Sequence, residues 1–113
     1  MSKREDLFLV QDMLESGQKI ISYTSGYSYD DFINDEKTVD AVIRNFEIIG
    51  EAASRISEEL KNSNDGIPWK QLKGYRNRLI HEYFGVDYRI VWEVIDENLP
   101  HVIHELKILE RKL

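Results

Sequence analysis

The sequence contains no cysteine among its 113 residues. This absence excludes disulfide bonds, a thiolate nucleophile and metal sites built from cysteine ligands. It fits a reducing compartment, and we therefore expect a cytoplasmic protein. Glycine and proline are also scarce, at 6 and 2 residues. No glycine-rich loop that could cradle a nucleotide phosphate is present, so we expect no ATP-dependent activity and no bound cofactor.

Long hydrophobic runs are lacking as well. No apolar segment approaches the roughly 20 residues that a membrane-spanning helix needs, and the N-terminal residues lack the apolar centre of a signal peptide. Hydrophobic residues make up 42% of the chain and charged residues 32%, which is typical of a soluble globular protein. We therefore expect no membrane contact and a single helical domain spanning residues 1–113.

Apolar residues recur along the chain at helical spacing, and no alternating strand pattern of useful length is present. The pattern predicts helices over about residues 3–25, 35–61, 68–84 and from 88 onward, with a short helical turn at 30–33 that buries Phe32. Asp87 should cap the last helix, and Ile90 and Val91 should lie on its inner face. A small-residue patch at Gly50, Ala52 and Ala53 predicts close approach of another helix. Pro100 should kink or break the last helix after Asn98. The predicted fold is all-α, with four main antiparallel up-down helices and a kinked last helix.

Positive charge is concentrated in one window. Residues 67–81 contain no Asp or Glu, and four cations give this window a charge of +4. The whole chain carries −6, which leaves −10 for the remainder. We call this window the basic island; its cations are Lys70, Lys73, Arg76 and Arg78. A basic island on an acidic protein predicts a local phosphate-bearing partner, and we assign Lys70, Lys73 and Arg78 to RNA binding.

The basic island leads into a group of residues suited to RNA cleavage. Arg76 is followed by Asn77, by His81 five residues after the arginine, and by Tyr83. RNA carries its own nucleophile, the 2′-hydroxyl, so a proton carrier and a fixed cation suffice. Histidine moves protons near neutral pH, and arginine stabilises charge on phosphate oxygens. Asn77 could orient the imidazole or donate to the phosphate, and we predict no catalytic metal.

Helix geometry adds a condition to this hypothesis. In a regular helix His81 lies roughly 140° around the axis from Arg76, so a single helix does not aim both side chains at one atom. Either the helix loosens near Gly85, or a two-fold partner supplies its own arginine and histidine across a shared cleft. The second solution predicts a homodimer. The structural alternative is that Arg76 and Arg78 are solvated or ion-paired. His81 would then be a partly buried hydrogen bonder and Tyr83 a core aromatic residue with a solvated hydroxyl.

Other polar and aromatic positions have two interpretations each. His101 and His104 share one helix face, but without a third ligand nearby a solvated pair is favoured over a metal site. Trp69 is interpreted as a packing residue, with base stacking beside Lys70 as the alternative. Arg44 and Glu51 lie seven residues apart on one line of a helix. They either support the cleft or its dimer interface, or they are outer-face residues.

Three segments of the chain resemble a known family. Arg76-x4-His81-x-Tyr83, within the segment Ile67–Asp87, is similar to the signature of HepT-type toxins of the HEPN superfamily. The segment Arg44–Ala52 resembles that family's second helix, and Ile90–Ile95 followed by Leu99-Pro100 resembles its last. The resemblance implies a small all-α homodimer that cuts RNA without a metal. It implies that Arg76 and His81 of both subunits line the cleft, with Asn77 at the polar position after the arginine.

The resemblance also implies a partner protein. HepT-type toxins are silenced by antitoxins of the MntA type, minimal nucleotidyltransferases that transfer AMP from ATP to the motif tyrosine, here Tyr83. Added phosphate and adenine beside a phosphate-binding cleft would block it by bulk and negative charge. A second function remains open. The chain could be a non-catalytic partner or nucleotide-binding module, with the basic island docking a nucleotidyltransferase.

Overall fold

A computed structural model describes residues 3–80 and 87–113, with the side chains of 77–80 excepted. All regular secondary structure in these ranges is helical, which confirms the all-α prediction. None of the helices described is long and apolar enough to cross a membrane. The antiparallel up-down order of four main helices stays a prediction. The elements are α1 (Lys3–Thr24), α2 (Tyr29–Ile33), α3 (Glu36–Arg55), α4 (Glu58–Ser63), α5 (Trp69–Ile80), α6 (Tyr88–Glu93), a π-helical turn (Val94–Asn98) and α7 (Leu99–Lys112).

Helix α3 is central to the packing. It contacts α1 on one side and α5 on another, and α1 in turn contacts α7. Apolar residues at helical spacing on these elements meet in one core, where their burial stabilises the fold. The largest fully buried side chains are Val10, Met13, Ile20, Phe32, Val42, Phe46, Ile49, Leu72, Val91, Leu99, Leu106 and Leu109. Helix α3 therefore connects α1 with α5, the helix that carries the basic island.

The long helix predicted over residues 35–61 is in fact two helices. Ile56 is extended, with ψ of 141°, and Ser57 caps α4 by accepting a hydrogen bond from the backbone N–H of Leu60 at 3.2 Å. The buried carboxylate of Asp6 accepts from the Ser57 N–H at 3.1 Å and from its hydroxyl at 2.6 Å. These two bonds replace helical hydrogen bonding at Ser57, so the prediction of one continuous helix was wrong.

Two predictions for the C-terminal segment are confirmed, the cap at Asp87 and the break of the last helix before Pro100. Asp87 caps α6 by accepting from the backbone N–H of Arg89 at 2.9 Å. The last helix is interrupted before Pro100 by the π-helical turn, at whose end the Leu99 N–H bonds to the Val94 carbonyl. Proline lacks an N–H, and its ring would clash with the carbonyl four residues back in a regular helix, so the wider turn relieves a conflict at this point.

Candidate functional site

Arg76 lies where α5 crosses α3 at very short range. A Cβ atom built on Gly50 would lie 2.6 Å from the Arg76 Cβ and 2.8 Å from its backbone nitrogen. Contacts this short are not tolerated, so only glycine allows the two backbones to approach this closely. The predicted close approach at the small-residue patch is confirmed. Gly50 therefore determines where the backbone of Arg76 lies relative to α3.

The side chain of Arg76 is held by the next residue of α3. An Arg76 guanidinium nitrogen (Nη1) donates to Glu51 Oε2 at 2.5 Å, and the two side chains are 44% and 51% exposed. An ion pair this exposed contributes about 0–1 kcal/mol to stability, so its main effect is on orientation. The arginine fork carries five N–H donors, and those that Glu51 does not use can bind an anion. This contact favours the interpretation in which Glu51 supports the cleft.

Arg76 and Glu51 form part of a polar groove of about 220 Å³ between α1, α3 and α5. The groove is lined by three arginines, three carboxylates and three apolar residues, so its formal charge is balanced. Arg44 pairs with Glu47 at 3.3 Å, as Arg76 pairs with Glu51. The lining residues are Leu9, Asp12, Arg44, Glu47, Ile48, Glu51, Ala52, Arg55 and Arg76.

Arg55 is a groove residue that the sequence analysis missed. It follows Glu51 by four residues and Arg44 by eleven, intervals that place all three on one side of α3. The sequence placed Arg44 and Glu51 on one line of the helix, and extending that line by four residues reaches Arg55. Spacing alone did not distinguish this arginine from an ordinary solvated residue of the helix predicted over 35–61.

Two described cations of the basic island, Lys70 and Arg76, border different depressions of the surface. Lys70 and Lys73 are exposed, and neither forms an ion pair with a carboxylate of residues 3–80 or 87–113. Lys70 lines a second, mainly apolar concavity together with Gly74, Tyr75 and Ile90, whereas Arg76 lines the polar groove. The two cations therefore border different depressions of α5, and the assignment of Lys70 and Lys73 to RNA binding stays a prediction.

The remaining predicted site residues lie outside the described part of the chain. His81 and Tyr83 are outside the described residues, and the side chains of Asn77 and Arg78 are outside the described side chains. Their roles therefore stay predictions, and Arg76 is the predicted catalytic residue whose side chain the structure describes.

Tyr75, next to Arg76, belongs to the core. Its ring packs edge-on against Phe46 with 5.1 Å between the ring centroids, and its hydroxyl has no hydrogen-bond partner among the residues described. Burial raises the pKa of the Tyr75 phenol to about 12. The phenol therefore stays protonated near neutral pH, which removes it as a general base. Its packing instead fixes the rotation of α5 about its axis.

The structure decides between the two interpretations of Trp69. Trp69 is buried, and its indole N–H donates to the Asn64 carbonyl at 3.0 Å, which confirms the packing role and argues against base stacking. His101 and His104 are both exposed. Within residues 3–80 and 87–113 no group of three or more His, Asp or Glu side chains is arranged to hold a metal ion.

The prediction for Ile90 was wrong. It was placed on the inner face of the last helix, but it is 40% exposed, and its neighbour Val91 is buried instead. Adjacent helical residues point about 100° apart, so only one of the two can face the core. Ile90 consequently borders the apolar concavity beside Lys70.

Comparison with known proteins agrees with these features. The profile of the family described as "Ribonuclease HepT-like" matches residues 13–109, which include the whole of α3 and Arg76. The chain belongs to the ribonuclease HepT-like family. This HepT-like chain is also similar in sequence to curated proteins over nearly its full length.

Three of these relatives illustrate the range. A protein of Methanocaldococcus jannaschii, provisionally named RNase MJ1380, is 40% identical over 96% of this chain and 100% of its own length. A protein of Caldanaerobacter subterraneus, provisionally named RNase TTE0752, is 37% identical over 91% of this chain and 92% of its own. A protein of Thermococcus cleftensis, named probable ribonuclease HepT, is 40% identical over 87% of the HepT-like chain and 89% of its own. No solved structure gave a significant match.

Proposed function

We propose that this HepT-like protein is an endoribonuclease toxin that cleaves RNA without a metal ion. The proposal rests on the position of Arg76. Gly50 and Glu51 hold this arginine, half exposed, in the polar groove, and Arg76 lies within the residues that match the family. Donors of its guanidinium that Glu51 does not use would bind the scissile phosphate and stabilise the charge that develops on it. The names of the relatives point to the same substrate class.

In the proposed reaction the RNA supplies the nucleophile. The 2′-oxygen attacks the adjacent phosphorus, the bond to the 5′-oxygen breaks, and a 2′,3′-cyclic phosphate and a free 5′-hydroxyl are formed. His81 accepts the proton of the 2′-hydroxyl or returns a proton to the leaving oxygen. Asn77 orients the imidazole or donates to the phosphate. Exposed Lys70 and Lys73, with Arg78, would attract the flanking backbone.

The proposal includes a homodimer. A helix that continued regularly through His81 would direct Arg76 and His81 about 140° apart, so one such chain alone would not present both groups to one phosphate. A two-fold axis would bring the Arg76 of one protomer and the His81 of its partner to the same cleft. The half-exposed guanidinium of Arg76 supports this arrangement because it leaves room for the partner on the solvent side.

The test of the function uses the 2′-hydroxyl directly. The purified protein, incubated with a chelator, should cleave a labelled single-stranded RNA and leave the same sequence intact when every 2′-oxygen is methylated. Mass spectrometry of the products should find cyclic phosphate ends. Cleavage of the methylated strand would contradict transesterification. A folded protein that cuts neither strand and binds a nucleotidyltransferase would favour the alternative function, that of a non-catalytic docking module.

We further propose that Tyr83 is the regulatory acceptor. An MntA-type nucleotidyltransferase would transfer AMP to its phenol, with the phenolic oxygen attacking the α-phosphorus of ATP and pyrophosphate leaving. The added negative charge beside the cleft would repel RNA.

Co-expression with such an enzyme should raise the intact mass by whole AMP units and stop cleavage. Tyr83→Phe should keep its original mass and stay active, whereas a modified Phe variant would mean another acceptor. The cytoplasmic location that both proteins require stays an expectation from composition.

A further inference from the structure

Two arginines flank Arg76 along the polar groove. Gly50 marks the level of α3 at which α5 crosses, because it contacts the Arg76 backbone. Arg44 precedes Gly50 by six residues and Arg55 follows it by five. With a rise of 1.5 Å per residue, these arginines lie about 9 Å and about 7.5 Å from the crossing point, in opposite directions along the axis of α3. Both are exposed and both line the groove that contains Arg76.

The three arginines differ in how their charge is compensated. Arg44 is paired with Glu47 at 3.3 Å, and Arg76 with Glu51. Arg55 forms no ion pair with any carboxylate of the described ranges, although Asp12 lines the same groove. Arg55 is therefore the groove arginine most available to an incoming anion.

We infer that the groove along α3 is the path of a single RNA strand, with Arg55 and Arg44 binding the phosphates on either side of the one held by Arg76. This inference rests on the proposed ribonuclease function and assigns the substrate-binding surface to α3 as well as to the basic island. A row of cations on both sides of one site suits a polyanion, whereas a single phosphate would use one arginine. The groove lies between helices and has a volume of about 220 Å³, far less than a duplex occupies, which favours a single strand.

The carboxylates of the groove should weaken its binding of RNA. Glu47 holds Arg44 and repels a phosphate at the same time, so it lowers the affinity of the groove for RNA. To bind Arg44, an incoming strand must displace Glu47 from its ion pair. To bind Arg55, it displaces no such partner. The two arginines should therefore contribute unequally, and removal of the Glu47 charge should strengthen binding.

Binding is measured with a labelled single-stranded RNA methylated at every 2′-oxygen, which removes the nucleophile, by fluorescence anisotropy at several salt concentrations. Arg55→Ala should weaken binding by about tenfold, as expected for loss of one charge-assisted contact. It should also reduce the slope of log affinity against log salt by about 0.7. Arg111→Ala is the matched control, because Arg111 is an exposed cation at the end of α7, away from the groove. It should bind as wild type does.

A second pair of variants tests for an increase in RNA affinity. Glu47→Gln frees Arg44 and should tighten binding several-fold. Glu15→Gln is its control, because Glu15 forms an equally long ion pair of 3.3 Å with Lys19 outside the groove and its loss changes the net charge equally. It should leave affinity unchanged. Equal effects of the two variants would mean that only net charge matters and would overturn the inference.

Two other results would overturn it. One is an Arg55→Ala protein that binds RNA as wild type does. The other is an Arg55→Ala protein that sediments as a monomer where wild type is a dimer, which would assign the groove to a second copy of the chain. Wild-type protein that cleaves RNA while either result holds would refute this inference alone. Wild-type protein that neither binds nor cleaves RNA would refute the proposed function as well.

Discussion

Arg76→Ala is expected to lower the rate of RNA cleavage by about 10²–10³-fold, the loss typical of removing one preorganised donor to a developing negative charge. The fold should be retained, because the pair that Arg76 forms with Glu51 is half exposed and worth at most about 1 kcal/mol. Removal of the Arg76 guanidinium leaves the Glu51 carboxylate in contact with solvent, so no unpaired charge is buried. Cleavage rate and thermal unfolding are measured on the same preparation.

Two comparisons separate catalysis from simple loss of charge. Arg111→Ala removes the same charge at the end of α7 and should cleave RNA at the wild-type rate. Arg76→Lys keeps the charge but loses the planar fork, so its rate should lie between those of wild type and Arg76→Ala. Combining Arg76→Ala with His81→Ala should cost little more than either change alone, since both groups act in one step. An Arg76→Ala protein with wild-type cleavage would remove Arg76 from the mechanism.

The local features of the fold could be predicted because they depend on near neighbours in sequence. The cap at Asp87 needs only the backbone two residues later, and Phe32 is buried by its place in a short amphipathic turn. The division between α3 and α4 could not be predicted in this way. The apolar spacing continues through the break, and the bonds that stabilise Ser57 come from Asp6, which is 51 residues away.

The same distinction applies to the candidate site. The basic island and Arg76 could be predicted because charge and motif are visible along the chain. The separation of Lys70 from Arg76 into two depressions depends on which face of α5 meets α3 and which lies beside Ile90, and spacing within one helix does not determine this. The contact between Glu51 and Arg76 joins two helices, so the sequence offered it only as one of two interpretations. Gly50 combines both kinds of information. The sequence shows that the residue is small, and the structure shows that its neighbour is Arg76.

Gly50→Ala is expected to destabilise the protein and to lower cleavage together. The new methyl group would lie 2.6 Å from the Arg76 Cβ and 2.8 Å from its backbone nitrogen, so α3 and α5 must move apart. Overpacking of this kind costs about 1–3 kcal/mol, which exceeds the gain of about 1 kcal/mol that alanine normally brings to a helix interior. A displacement of Arg76 by about 1 Å can lower the rate by about 10²-fold.

The chain offers a matched control for Gly50→Ala in the neighbouring helix. Gly74 also lies inside a helix, but a Cβ built on it meets nothing within 4 Å. Gly74→Ala should therefore gain up to about 1 kcal/mol of stability, since only the helix preference of alanine acts there. Denaturant unfolding of the two variants should shift in opposite directions from wild type. If both variants are stabilised equally, the two helices do not meet at Gly50, and the close crossing that holds Arg76 beside Glu51 is refuted.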